Sequence, residues 1–201
     1  KINMNFKKKK NEISKIRYDN NLLTGCLTII DSKLNNVNLS SRNAQCEDAI
    51  NIIRSSGTIN KVFIKNSASD ALDLDFTRIK IQEADIDNSL NDCIDFSGGD
   101  NEIIDAKISN CGDKGLSFGE KTKSKIKNIL AIKNNIDISI KDDSEVEIYN
   151  FLTDKKDGQV CGRIENKKQE FGSGTLIIPD HKLPCKFITD KNSKIINYAK
   201  N

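Results

Sequence analysis

Ile50, Leu72, Ile94, Leu116 and Ile138 stand 22 residues apart without exception, and two residues on, Ile30, Ile52, Leu74, Phe96, Phe118 and Ile140 keep the same interval. A second stripe runs through Val37, Ile59, Ile81 and Ile103, and a third through Ile64, Ile86 and Ile108. A fixed period of this size decides the architecture before any local reading. Each stripe lies in a short run that alternates apolar and polar residues, as in Leu72, Asp73, Leu74, Asp75, Phe76, the pattern of a half-buried strand and not of a helix. Three such strands per period cannot bury their apolar faces alone and must stack on copies of themselves.

The expected fold is therefore all-β: a parallel β-helix with about 22 residues and three strands per coil. One coil advances by one interstrand spacing, about 4.8 Å, so residues one period apart become vertical neighbours. Asn66, Asn88 and Asn110 form a polar ladder two residues beyond the third stripe, and we assign it to the inward side, where stacked amides bond one another. The register slips near "GEKTKSKIKN", where Ile126 follows Ile103 by 23 residues; Ile148 then restores 22.

We divide the chain into a basic leader or cap over 1–23, the β-helix over 24–178, and a C-terminal cap over 179–201. Solenoid ends expose a strand edge and an open core, which is what caps cover. The leader holds "FKKKKNEISKIR" from Phe6 to Arg17, yet the whole chain carries 32 Lys and Arg against 29 Asp and Glu, a net charge of +3. No overall field points to nucleic acid or an anionic membrane, and no 18-residue apolar span predicts membrane insertion. A chain that opens on Lys1 reads as a piece of a longer or processed protein. Six cysteines (Cys26, Cys46, Cys93, Cys111, Cys161, Cys185) show no metal-ligand spacing. They suit disulfides in an exported protein or free thiols in a solenoid core, and spacing does not choose a pairing.

Concentrated charge in the repeat falls on the outward side of the first strand, where Asn51, Asp73, Asp95, Ser117 and Ser139 form one column and Ile53, Asp75, Ser97, Gly119 and Lys141 the next. Asp73 and Asp95 should stand about 5 Å apart. That separation suits the acid and nucleophile of a retaining glycosidase, so Asp73 and Asp95 are the catalytic candidates. The same pair are the metal candidates, because close carboxylates can also hold Ca²⁺. No other cofactor is expected: nothing points to nucleotide, haem or flavin. As ligand-binding candidates we take Asp73, Asp75, Asp95, Ser117 and Lys141, with Gly115 and Gly119 either baring the backbone to a glycan or enabling tight turns.

Against catalysis stand a single histidine, His181, and no Trp. The "RIK" at Arg78 comes too early for a polygalacturonase-type series and lacks its companions. The plain reading of the acids is solubility of the outward face, with Asp70 and Asp92 accepting backbone N–H bonds as local Asx turns.

"DALDLDF", "NDCIDFSGG", "NCGDKGLSFGEKTK" and "IDISIKDDS" resemble the right-handed parallel β-helix modules of the pectate-lyase-like superfamily, particularly those of bacterial envelope proteins with a spore-coat-H-type kinase-like domain. The resemblance spans about Thr24 to Ile178, and "IDISIKDDS" departs from the pattern at Asp137 and Ile140. It implies a right-handed solenoid in a secreted or surface-attached bacterial polypeptide, and it implies no activity. The expected function is a non-catalytic scaffold or polysaccharide-binding module whose partner is a polysaccharide or another cell-envelope component. The alternatives are a polysaccharide lyase or glycoside hydrolase using Asp73 and Asp95, and a structural spacer or self-assembling element joined through its ends.

Overall fold

The computed structural model describes residues 1–7, 18–179 and 183–198; most of the basic leader, and His181, lie outside them. Among the described residues there is no helix. The strands, in chain order, are β1 (Ile2–Asn5), β2 (Gly25–Ile30), β3 (Lys33–Ala44), β4 (Asp48–Ile53), β5 (Ser56–Ser67), β6 (Asp70–Ser89), β7 (Ile94–Cys111), β8 (Lys114–Gly119), β9 (Lys123–Ile132), β10 (Ile136–Lys141), β11 (Glu145–Thr153), β12 (Val160–Glu165), β13 (Thr175–Pro179), β14 (Lys186–Thr189) and β15 (Lys194–Tyr198).

All pairings are parallel and form two ladders. The first runs β2, β4, β6, β7, β8, β10, β12, β14, giving eight rungs; the second runs β1, β3, β5, β6, β7, β9, β11, β13, β15. β6 and β7 belong to both because each follows most of a coil without a break. In β6 the first strand covers 70–75, a corner falls at Phe76, and two further strands meet at a bend near Gln82, where the pairing to β5 and β7 skips a residue. The solenoid is thus a parallel stack with a rise of about 22 residues, as the period requires. The ladders continue past Ile178, since β14 pairs with β12 and β15 with β13. At the other end β1 pairs with β3.

Register places Ile50, Leu72, Ile94, Leu116 and Ile138 in one vertical column, all fully buried. Each such side chain contributes about 1.5–3 kcal/mol relative to exposure. Phe96 and Phe118 stack with ring centroids 4.6 Å apart and planes 12° from parallel. The expected slip is real: Ser97 pairs with Gly119 at 22, whereas Asp100 pairs with Lys123 at 23. The extra residue sits in the corner at Glu120 and Lys121, both with positive φ.

The corners correct the expected side for the Asn ladder. Asn43, Asn66, Asn88 and Asn110 have φ between 55° and 64°, the left-handed region that Asn tolerates better than most residues. That conformation breaks the strict alternation of a strand, so Asn88 and Asn110 face solvent while Ser67, Ser89 and Cys111, one residue on, turn inward. Asn66 Nδ2 donates to Asn43 Oδ1 and Asn88 Nδ2 to Asn66 Oδ1, each at 2.8 Å. Asn110 leaves the ladder and donates to Asp87 Oδ1 at 2.7 Å.

The six cysteines form three disulfides, Cys26–Cys46, Cys93–Cys111 and Cys161–Cys185, with Cα separations of 5.4, 5.6 and 5.8 Å. The first two each join the start of a coil to its end. The third links β12 to the residue before β14, tying adjacent rungs.

Candidate functional site

The outward face of the first ladder does not behave as a solvated surface. Asn51, Ser117 and Ser139 occupy one column with Asp73 and Asp95, and all three are buried. The acids at the start of each rung were expected to make local turns; they instead bond the rung above. Asp70 Oδ1 accepts from the Asp92 backbone N–H at 2.7 Å and from Asn91 Nδ2 at 2.8 Å. Asp92 Oδ1 accepts from the Lys114 N–H at 2.9 Å.

Beside these rungs lies a polar cavity of about 520 Å³ lined by Thr24, Asp48, Asp70, Asp73, Asp75, Asp95, Ser97, Glu120, Lys141, Asp142, Lys167 and Lys168. Of the sequence candidates, Asp73, Asp75, Asp95 and Lys141 line it together. Ser117 stands behind it and accepts a hydrogen bond from Lys141 Nζ at 2.9 Å. Lys141 is only 7% exposed. Asn51 Nδ2 donates to Asp73 Oδ2 at 2.9 Å and to Asp75 Oδ2 at 3.0 Å, fixing both carboxyls. Asp73 Oδ1 is buried with no hydrogen-bond partner.

Burial pushes the Asp73 carboxyl up to about 9, with the charges of Asp75, Asp48, Asp95 and Asp70 adding to it. Burial, then the Asp92 charge, pushes Asp70 up to about 8. Asp75 is raised by burial although Asn51 opposes it, and Asp92 is raised by burial against the pull of Lys114. Burial works against ionisation of Glu120 too, yet its hydrogen bond from Lys168 holds it below the usual carboxylate range. One cavity thus contains neutral carboxylic acids that can donate, an ionised carboxylate that can accept, and lysines. The expectation of solvated acids fails for Asp73 and Asp70, which sit in a low-dielectric wall where the charged form is disfavoured.

The wall that sequence reading missed comes from the irregular segment after β12. Lys168 pairs with Glu120, and Asp142 Oδ1 accepts from the Lys167 and Lys168 backbone N–H groups, both at 2.8 Å. Asp48 and Asp70 carried a readable signal, being 22 residues apart like the other columns; Lys167 and Lys168 follow no period. Gly115 and Gly119 both have ordinary φ, so neither makes a left-handed turn. A Cβ on Gly115 would meet the Asp137 carbonyl oxygen at 2.6 Å, whereas Gly119 leaves room, its nearest neighbours being Asp142 and the Lys141 stem at 3.8 Å. Asp137, where "IDISIKDDS" differs from the modules it resembles, is fully buried and bonded by Asn134 Nδ2 at 3.0 Å and Thr153 Oγ1 at 2.7 Å. It holds a turn and does not reach the cavity.

No group of three or more Asp, Glu, His or Cys side chains among the described residues is arranged to hold a metal ion. A second hollow, about 630 Å³, lies on the other ladder beside Ala84, Ala106, Leu130 and Leu152. Its polar side chains satisfy one another, Asn128 donating to Asp105 and Asn150 to Asn128. Comparison with family models, with curated proteins and with solved structures gives no match to this chain.

Proposed function

We propose that the protein is a polysaccharide-binding β-helix module of an exported bacterial protein, similar in kind to the pectate-lyase-like modules, and that the cavity beside Asp73 is where a glycan segment lies. The observation that carries this reading is the mixed character of the wall: Asp73 and Asp70 keep their protons at neutral pH while Glu120 is ionised. Sugar hydroxyls need donors and acceptors side by side, and polar groups placed at the rim of a concave site supply orientation. A strongly raised carboxyl pKa in a cleft marks a candidate functional site. Three disulfides suit an oxidising compartment, which supports export.

The test is affinity gel electrophoresis against soluble polysaccharides. Binding should be lost in Asp73→Asn combined with Lys141→Ala while the circular dichroism spectrum is unchanged. Retention of full binding in that variant sinks the reading.

One observation favours a second reading, glycoside hydrolysis. A protonated Asp73 stands one rung from a second carboxyl, Asp95, and retaining glycosidases work with two carboxyl groups held close together. Release of reducing sugar that disappears in Asp95→Asn would move the protein to that class.

A further inference from the structure

Phe76 sits at the corner that ends the first strand, and it breaks the rule its neighbours keep. The same corner in other rungs carries Asp31, Arg54, Gly98, Glu120 and Asp142, all with positive φ and all polar or glycine. Phe76 has φ 52°, a conformation in which a bulky residue is an outlier, and it is 62% exposed. It therefore adds strain without filling the core. Backbone strain of this kind persists where the surroundings enforce it and is concentrated at binding sites.

The ring has a defined seat. A Cβ on Gly98 would come within 2.8 Å of Phe76 Cδ1 and 3.0 Å of Cε1, so the underside of the ring rests on the bare backbone of the next rung. Its position is equally defined. Asp75, immediately before Phe76, lines the cavity, as do Ser97, immediately before Gly98, and Glu120 at the same corner one rung further. A flat apolar surface thus borders a mouth crowded with hydrogen-bonding groups. That is the complement of a pyranose, which has an apolar C–H face and a rim of hydroxyls; aromatic rings supply large contact area with a negative face toward such C–H groups. Even with Asp70 and Asp73 neutral, the remaining carboxyl groups outnumber the lysines in the wall, which disfavours a polyanionic chain.

Resting on the glycan reading above, we propose that Phe76 is a stacking platform for one residue of a neutral polysaccharide, whose next residue enters the cavity past Asp75 and Glu120. Phe76 then sets specificity, and Gly98 is the positioning residue that lets the ring lie flat.

The experiment measures binding to mixed-linkage β-glucan, xylan and galactomannan, with polygalacturonate and alginate as charged counterparts, by affinity electrophoresis and calorimetry. The unmodified protein should bind at least one neutral polymer more tightly than either charged one. Phe76→Ala should weaken that binding by about tenfold or more, as for a buried aromatic anchor. Phe76→Asn should lose binding equally while its Tm rises, because Asn relieves the left-handed strain; a purely structural role for the ring predicts the opposite Tm shift. If Phe76→Ala and Phe76→Asn bind as the unmodified protein does, the platform is wrong and the cavity reading survives. Preference for the charged polymers overturns the neutral class, and binding to none of the five overturns both proposals. A self-association that Phe76→Ala abolishes, seen in sedimentation without glycan, would assign the ring to a protein contact and overturn the platform.

Discussion

Asp73 makes the fold weaker as the solution becomes more alkaline, by an amount that can be isolated. In the unfolded chain its carboxyl ionises near 3.8, whereas in the fold burial, reinforced by the Asp75, Asp48, Asp95 and Asp70 charges, keeps the proton up to about 9. Between those values the native state holds one proton that the unfolded chain does not. Stability from this group is therefore fully present below about pH 4 and declines as pH rises toward 9, by about 1.4 kcal/mol per pH unit. Other shifted groups act outside the window. Asp31, Asp87, Glu120 and Asp190 are held below the usual range, while Lys61, Lys114, Lys168 and Tyr198 are raised above theirs. The interval from pH 5 to 8 thus reports on Asp73 and on Asp70, whose carboxyl burial and the Asp92 charge push up to about 8. Asp73→Asn keeps the shape and an oxygen to accept from Asn51, and it removes one titration. Urea unfolding followed by far-UV circular dichroism, with disulfides intact, should give the variant a flatter pH dependence. From pH 6 to pH 8 the variant should gain about 3 kcal/mol on the unmodified protein. Parallel curves would mean that Asp73 is ionised in the fold, and the neutral-acid argument would fall with it.

Replacing Cys93 and Cys111 by Ala opens an 18-residue separation and should lower stability by about 3 kcal/mol in chemical denaturation; a loss under 1 kcal/mol would show that stacking alone holds that coil. Phe96→Ala empties half of the Phe96–Phe118 stack and should remove about 3–5 kcal/mol, read as a lower urea midpoint at constant m. Asp142→Ala strands the Lys167 and Lys168 amides, which should speed their hydrogen exchange and lower stability by about 1–3 kcal/mol, whereas Asp142→Asn, which keeps an acceptor, should protect them nearly as well.

The winding was legible because stacking is translational: the interval that brings Ile50 over Leu72 brings every later column into line, whatever the side chains. The corners were less legible. A left-handed residue reverses which way its successor faces, so alternation counted from Ile64, Ile86 and Ile108 puts Asn66, Asn88 and Asn110 on the wrong side. Asp70 and Asp92 were visible as a column, but their bonding to the rung above and not to a local turn depends on the depth of the sheet face. The cavity itself was half visible. Asp73, Asp75, Asp95 and Lys141 fall on the period, while Lys167 and Lys168 arrive on an irregular loop that only tertiary contact with Asp142 places. Phe76 was hidden in plain sight as the last residue of an alternating run, since nothing in that alternation reports a positive φ.

A solenoid stacks like on like, so an acid on one rung meets an acid on the next unless the sequence intervenes. Two charges about 5 Å apart repel by less than 1 kcal/mol in bulk water but by roughly 3 kcal/mol at the effective dielectric of a protein surface. Either a counter-ion or a proton relieves this. Across Asn51, Asp73, Asp95 and Ser117 the column uses the proton: Asn51 donates to Asp73 from below, Lys141 is engaged by Ser117 one rung past Asp95, and Asp73 stays neutral. A row of ionised carboxylates would present acceptors alone and would call for a cation. A wall in which the neutral Asp73 and Asp70 stand with the ionised Glu120 presents both halves of a hydrogen bond to an uncharged ligand. The burial that weakens the fold at neutral pH is thus the same feature that suits this face to hydroxyl groups.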